Sequence, residues 1–260
     1  VSGVQKNAKH HLEAFDVGFN TRVNQSTTVF TNFNQAFQSP LIDRFFTYNG
    51  GFNGFMSPST SKTINIGFNH LTDKSKTKVT LFKSNIRNEM YYNTSTWANT
   101  NLDKSHKQGF ELQNLYRVNP KFSTNVNYAY TDAVIDEEAD NTLMNGKVNP
   151  MTSKHNLSAS ASYSINDKAK ITLTQKYRSS AFAEEDYTNT GIHKQMSYNT
   201  TDFNFSYMPN NSLVFNFDIE NLFDNSYGTT LNDNSLGTGL GTIYPGNFTR
   251  NIKADLTYKF

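Results

Sequence analysis

The chain has 260 residues, of which 36% are hydrophobic, with a formal net charge of +2, no cysteine and a mean hydropathy of −0.64. These values exclude a disulfide framework and cysteine-based thiol or metal chemistry, and they leave no electrostatic footprint for nucleic acid. No stretch approaches the roughly 18 consecutive apolar residues of a transmembrane helix. Strands that are apolar only at every second position remain compatible with such a composition, and Phe 21 and Tyr 14 against Trp 1 favour strands.

Alternation of that kind recurs along the whole chain. It predicts eleven strands over 9–22, 27–38, 60–71, 76–92, 105–117, 122–134, 153–165, 169–180, 195–207, 212–222 and 248–260, with lengths near the 9–11 residues that cross a bilayer when tilted. In the sixth, Phe122, Thr124, Val126, Tyr128 and Tyr130 oppose Asn125, Asn127 and Thr131. In the seventh, Leu157, Ala159, Ala161 and Tyr163 oppose Asn156, Ser158, Ser160 and Ser162. In the last, Ile252, Ala254, Leu256, Tyr258 and Phe260 oppose Asn251, Lys253, Asp255, Thr257 and Lys259. Because side chains of a strand alternate between its faces, one face is apolar and the other polar.

The connections alternate too. Short turns are expected at Asn24-Gln-Ser26, Asp73-Lys-Ser75, Asn119-Pro-Lys121, Asn166-Asp-Lys168 and Pro209-Asn-Asn211, and long loops at about 39–59, 93–104, 135–152, 181–194 and 223–247. All six prolines (40, 58, 120, 150, 209 and 245) are expected in connections, because proline cannot donate to a ladder. Short turns on one rim and long loops on the other describe an antiparallel transmembrane β-barrel of the outer membrane, with the short turns periplasmic. Counting from the first short turn brings Phe260 to the periplasmic rim. Eleven is odd, whereas a complete barrel has an even number of strands. An odd number of strands is therefore expected before residue 9. Val1 is no initiator and no signal segment follows it, so residues 1–260 are expected to be the C-terminal part of a larger barrel.

Several sequence features bear on a family. Glu220-Asn-Leu-Phe-Asp-Asn-Ser-Tyr227, a long loop, Tyr244-Pro-Gly-Asn-Phe-Thr-Arg250 and a last strand ending in Tyr258 and Phe260 resemble the C-terminal signature of TonB-dependent outer-membrane receptors. Asn221, Leu222, Phe223 and Asp224 are its central positions. Val29-Phe-Thr-Asn-Phe-Asn-Gln-Ala-Phe-Gln-Ser-Pro40, Ser57-Pro-Ser-Thr-Ser-Lys-Thr-Ile-Asn-Ile-Gly67 and Lys107-Gln-Gly-Phe-Glu111 resemble further strand-entry motifs of that family. The chain departs from it at Asp43-Arg44-Phe45-Phe46, where the family has an acidic residue followed by Leu-Phe. The resemblance implies a barrel of about 22 strands around a plug, neither the plug nor the first half being within these residues. It further implies a receptor for a large metal chelate, a ferric siderophore first and cobalamin or another metal complex second, energised through TonB. No covalent cofactor and no catalysis are implied. Outer-membrane lipid, lipopolysaccharide and the barrel assembly machinery, the last through the C-terminal strand, are the implied partners.

Within this frame, loop 39–59 is the candidate ligand contact. Arg44, Phe45, Phe46, Tyr48 and Phe52 lie among glycines, and aromatics with a guanidinium suit a planar or anionic chelate. Packing of Phe45 and Phe46 against a neighbouring loop is the alternative. Glu111, Gln113, Lys176, Arg178, Lys253 and Asp255 are expected on the lumen face, touching the plug. Asp136-Glu-Glu-Ala-Asp140 and Glu184-Glu-Asp186 are candidate calcium loops, although neither has the regular ligand spacing of one. Gly237-Thr-Gly-Leu-Gly241 lacks the Lys-Ser/Thr of a phosphate loop. Adjacent His10 and His11 point to opposite faces, and His155 falls on the apolar face of its strand, so Ser153-Lys154-His155 is not expected to supply a catalytic pair. A soluble β-sandwich binding module and a barrel enzyme are the readings from other classes.

Overall fold

The computed structural model describes residues 7–47, 49–93, 95–232, 242–245 and 249–259. Its strands are β1 (Phe15–Arg22), β2 (Thr27–Gln38), β3 (Ser59–Leu71), β4 (Ser75–Asn93), β5 (Ala98–Arg117), β6 (Phe122–Glu137), β7 (His155–Ser164), β8 (Ala169–Arg178), β9 (Ala181–Phe182), β10 (Lys194–Gln195), β11 (Tyr198–Asn210), β12 (Leu213–Glu220), β13 (Gly228–Asn232), β14 (Thr242–Pro245) and β15 (Asn251–Tyr258). Eleven of them form one antiparallel sheet in the order β1-β2-β3-β4-β5-β6-β7-β8-β11-β12-β15, with β1 and β15 at its edges. These are the eleven expected strands. The other four form two small hairpins, β9 with β10 and β13 with β14, inside connections expected to be plain loops. Their strands are two to five residues long, too short to leave an alternation pattern in the sequence.

The register makes the two faces continuous across the sheet. Phe19, Thr31, Ile66, Leu81, Phe110, Tyr130 and His155 are successive partners on one face. Ile171, Phe205, Phe217 and Ala254 continue that face. On the other face Lys78, Gln113, Asn127, Ser158, Lys176 and Thr200 are successive partners. Hydroxyl pairs such as Ser160 with Thr174 and Ser162 with Thr172, both at 2.9 Å, tie the polar face across strands. The apolar face is bare: Leu81 is 57% and Leu256 67% exposed. A patch of that extent on a sheet face marks a contact with something other than water.

Asparagine closes four of the five short turns. Asn119 Oδ1 accepts from the Lys121 and Phe122 amides, Asn166 Oδ1 from those of Lys168 and Ala169, and Asn210 Oδ1 from those of Ser212 and Leu213, all at 2.8–3.0 Å. Asn24 Oδ1 accepts from the Ser26 amide, and Thr72 Oγ1 does the same for Ser75 in the remaining turn. Each short side chain stands in for a backbone carbonyl and fixes the turn locally.

Three expectations are corrected. The loop expected at 93–104 shrinks to 94–97, because β4 and β5 run on for 19 and 20 residues. At about 3.3 Å per residue this hairpin is roughly 60 Å long, about twice the thickness of a bilayer core. The ladder is interrupted at Asn88, whose φ of 55° lies between the Arg87–Lys104 and Glu89–Leu102 pairs. The first strand begins at Phe15, not residue 9. Finally, Pro209 and Pro245 lie within strands: Pro209 where the β11–β12 register shifts, and Pro245 as the last residue of β14, places where a missing donor is tolerated.

Candidate ligand-binding surface

All long connections leave the sheet at the rim opposite the asparagine-closed turns. There, residues 39–58 fold on themselves. A 3-10 turn spans Ile42–Phe45, Phe46 bridges Phe52, and the Asn53 amide donates to the Phe45 carbonyl at 2.8 Å. Gly50 and Gly54, with φ of 75° and 108°, supply conformations that a side chain would resist. The result is a chain of edge-to-face rings: Phe45–Phe55 at 5.4 Å, Phe55–Phe52 at 5.1 Å and Phe52–Phe46 at 6.0 Å. Phe45 therefore packs inside its own loop, whereas Phe46, Phe52 and Phe55 remain 38–43% exposed. Phe55 was not among the sequence candidates, although it follows Gly54 in the same aromatic run. Arg44 lines a hollow of about 410 Å³ with Gln38, Glu89, Met90 and Lys107. Tyr48 lies outside the described residues.

Below this loop, the carboxylate of Glu89 joins two strands to loop 138–154. Its Oε2 accepts from Ser105 Oγ at 2.7 Å and from Asn149 Nδ2 at 3.0 Å, and its Oε1 lies 3.2 Å from Lys107 Nζ. Beside it Tyr91, Leu102, Ile135 and Met144 form a buried apolar cluster, with the Tyr187 ring tilted against that of Tyr91 at 4.7 Å. Asn189 couples the two large loops by bonding both the amide and the carbonyl of Val148. Apart from Lys107, which opens a quoted strand-entry motif, none of these residues was singled out from sequence. Glu89 lies beyond the Asn88 irregularity, where strict alternation no longer tells which face a residue takes.

The acidic loops do not form calcium cages. Asp136 is bound to His106 at 2.7 Å, and Glu137 is paired with Lys104. The Asp186 carboxylate accepts from the amides of Thr190 and Gly191, both at 2.8 Å, closing its own loop. Among the described residues no three His, Asp or Glu side chains converge to hold a metal ion. Glu138 is turned inward, 3% exposed, with the Asp103 amide at 3.4 Å. Burial, reinforced by the charges of Asp103 and Asp140, pushes its carboxyl above the usual range. A carboxyl raised in the folded state favours folding below its unfolded pKa and loses that contribution as pH rises through the folded value. Glu138→Gln is accordingly expected to slow amide exchange of loop 138–154 at neutral pH and to flatten its rise as pH climbs through and above the usual carboxylate range. Exchange measured across that range checks this, and an unchanged profile would show that Glu138 is not the titrating group.

The polar face carries a larger hollow, about 640 Å³, whose lining includes Glu111, Gln113, Lys176, Arg178, Asp202 and Glu220. Lys176 meets Asp202 at 2.7 Å, and Arg178 Nε donates to Ser153 Oγ at 2.9 Å. Lys253 and Asp255 share the face but lie on edge strand β15, paired with Glu220 (2.8 Å) and Asn216 (3.2 Å) respectively. Asn221, with φ 54° and 2% exposure, ends β12. Its amide group bonds the Asn225 amide and carbonyl at 3.0 and 2.9 Å. Leu222 donates to the Thr201 carbonyl, and Asp224 Oδ1 accepts from the Arg250 amide. This turn thus joins the end of β12 to the start of β15, with Phe223 exposed above it and Tyr258 at the far end of the apolar face. Phe260 and the 237–241 glycines lie outside the described residues.

A sequence comparison with curated proteins finds no match. Solved structures do match. The ferric-catecholate import receptor Fiu of Escherichia coli K12, in its closed form, superposes with a TM-score of 0.71 at 20% identity, over 94% of this chain and 34% of that one. The copper transporter OprC gives 0.76 at 14% identity over 95% and 39%. The ferric yersiniabactin uptake receptor FyuA of Yersinia pestis gives 0.75 at 16% identity over 95% and 37%. The chain thus spans little more than a third of these proteins. The family model described as TonB dependent receptor-like, beta-barrel, matches residues 6–222. The chain belongs to that family of outer-membrane transport receptors.

Proposed function

We propose that the chain is the C-terminal half of the barrel wall of an outer-membrane receptor that takes up a large metal chelate, most simply a ferric siderophore. The apolar face would meet lipid and the polar face the lumen. Glu111, Gln113, Lys176, Arg178, Lys253 and Asp255 would then contact a plug contributed by the rest of the protein. Strands outside this chain would pair with the edges of β1 and β15, since open edges are untenable in lipid. Tyr258 and the chain end would face the periplasm and the assembly machinery, and TonB would act through the plug. The observation that carries the ligand assignment is the mouth loop. Three half-exposed phenylalanines and Arg44 stand on the rim of the long loops, and they suit an aromatic, anionic chelate better than a neutral solute. The matched receptors for ferric catecholates and ferric yersiniabactin bear names of that ligand class.

Trp97, the chain's one tryptophan, is 47% exposed at the tip of the β4–β5 hairpin and reports on the same rim. Quenching of fluorescence in the detergent-extracted protein is expected with ferric catecholate or ferric hydroxamate chelates. Arg44→Ala is expected to weaken binding of an anionic chelate about tenfold or more, the value of one charge-assisted contact. Saturable quenching by cobalamin alone would move the assignment to that ligand. Absence of binding by any chelate would remove it.

A further inference from the structure

Three Asn-Gly pairs stand in the loops of the long-loop rim: Asn49-Gly50 and Asn53-Gly54 in the mouth loop, and Asn145-Gly146 in loop 138–154. Neither the barrel wall nor ligand uptake requires them. Asparagine in this setting is chemically labile. The glycine nitrogen attacks the side-chain carbonyl carbon, a C–N bond closes a five-membered imide, and the bond to the side-chain nitrogen breaks. That nitrogen leaves as ammonia, with the proton given up by the glycine amide. Water then opens the imide and leaves either an aspartate or an isoaspartate, whose backbone runs on through the former side-chain carbonyl. Glycine favours the closure because no Cβ shields its nitrogen. Two things block it in a folded chain: an acceptor that holds the glycine N–H, and a partner that pins the asparagine carbonyl.

The sequence makes the three pairs alike, and the fold separates them. Asn145 is blocked twice. Its Oδ1 accepts from the Glu138 amide at 2.7 Å, and the Gly146 amide donates to the Ile135 carbonyl at 2.8 Å, against the buried cluster. Asn49 is blocked once, since the Gly50 amide donates to the Thr47 carbonyl at 2.8 Å and closes a turn. At Asn53 neither block is present. The Gly54 amide makes no hydrogen bond among the described residues, and the single side-chain bond, 2.7 Å from Nδ2 to the Asn99 carbonyl, leaves Oδ1 and its carbon uncovered. Asn53 is exposed, and with Gly54 it borders a hollow of about 590 Å³ that Asn99, Asp140 and Asn141 also line, so there is room for the imide and access for water. We propose that Asn53 is a self-modification site, converted in the folded receptor to aspartate and isoaspartate, and that the conversion releases the mouth loop. The product carries a carboxylate where the donor to Asn99 stood, so an attraction becomes a repulsion between two acceptors, and the new charge shares its hollow with Asp140. The isoaspartate also lengthens the backbone between Phe52 and Phe55, two rings of the edge-to-face chain. The mouth loop thereby loses a tie to β5 and gains a negative charge on the rim that holds Arg44. Both changes work against an anionic chelate, so affinity falls as the protein ages; this consequence, unlike the chemistry itself, rests on the chelate reading.

The test holds the whole detergent-extracted protein in warm, mildly alkaline buffer and follows each Asn-Gly peptide by mass spectrometry, with isoaspartate marked by isoaspartyl methyltransferase. Asn53 is expected to convert first. Asn49 should convert at about a tenth of that rate, the cost of opening one hydrogen bond, and Asn145 should stay intact. In urea, where the fold no longer separates them, the three should convert at similar rates. Asn53→Gln, whose side chain would have to close a larger ring, should show no conversion at that position. Binding of a ferric catecholate, read by Trp97 quenching, should fall about tenfold in the aged parent and in Asn53→Asp, the value of one lost hydrogen bond. The Asn53→Gln protein should bind equally well before and after ageing. Conversion of Asn49 or Asn145 as fast as that of Asn53 in the folded protein overturns the site, as does an Asn53 that stays intact while all three convert in urea. Conversion without loss of affinity overturns the release of the mouth loop. A protein that binds no anionic chelate at any age overturns the chelate reading, and the mass-spectrometric order then decides the site alone.

Discussion

Gly109→Ala is expected to be among the most damaging single-methyl changes in the sheet. Gly109 lies in the middle of β5, paired with Phe82 on β4 and Thr131 on β6. A Cβ there would fall inside the van der Waals surface of the Tyr130 carbonyl and 3.0 Å from Phe82 Cζ. Gly67 repeats the arrangement: its Cβ would strike the Val79 carbonyl and stand 2.6 Å from Phe30 Cζ. In both pairs a phenylalanine on the otherwise polar face lies over a cross-strand glycine, which covers backbone that the missing side chain would leave open. A ring end can turn aside, but a ladder carbonyl cannot move without breaking its hydrogen bonds. The cost should therefore reach the upper end of the overpacking range, about 3 kcal/mol. The measurement is the urea midpoint of the heat-modifiable form in detergent. Gly18→Ala is the comparison, because its Cβ would meet Asn32 Nδ2 at an ordinary 3.6 Å and should be tolerated. Pairing Gly109→Ala with Phe82→Leu should recover little, since the carbonyl contact remains. Full recovery by that pair would show that the ring and not the backbone sets the limit, and equal midpoints for the Gly18 and Gly109 variants would show that the sheet accommodates the methyl at Gly109.

The same positions show what alternation makes legible. Wherever a strand is regular, one residue type per face suffices: Ser158, Ser160 and Ser162 against Leu157, Ala159 and Ala161 define both the strand and its faces. Eleven strands and the polar positions of Glu111, Gln113, Lys176 and Arg178 follow from that rule alone. It fails where the ladder is interrupted. Beyond Asn88 the pattern loses phase, so residues 98–104 of β5 read as loop, and Glu89, although inside the expected strand 76–92, went unremarked. Tyr91, Leu102 and Ile135 stand on three successive strands, β4, β5 and β6, and meet only because these strands run on together. A cluster of that kind has no periodic signature.

The buried cluster above the sheet yields the second large effect. Ile135 is fully buried, Leu102 is 1% exposed, and both pack with Tyr91 and Met144. Backbone bonds fold the following loop back over them: the Ile135 amide donates to the Lys147 carbonyl, and the Gly146 amide to the Ile135 carbonyl, at 2.9 and 2.8 Å. Ile135→Ala removes the centre of this pack and leaves a cavity that the flanking strands are too rigid to close, a loss of about 2–5 kcal/mol. The loss should be local. The sheet below is held by its own ladders, while loops 138–154 and 179–197 are held by this cluster, by Glu89 and by Asn189. Exchange protection of the Gly146 and Asn149 amides should fall, and a protease should cut those loops, while the barrel keeps its heat-modifiable migration. Ile135→Val should show the same pattern at about 0.5–1.5 kcal/mol. Because Arg44 lines one hollow with Glu89, loosening the loops frees the Asn149 contact that helps hold Glu89 in place. Chelate affinity should then weaken in Ile135→Ala although no residue of the mouth loop is altered. If the barrel and the loops were lost together, the cluster would be part of the wall. If protection fell and affinity did not, the mouth loop would be independent of the cap beneath it.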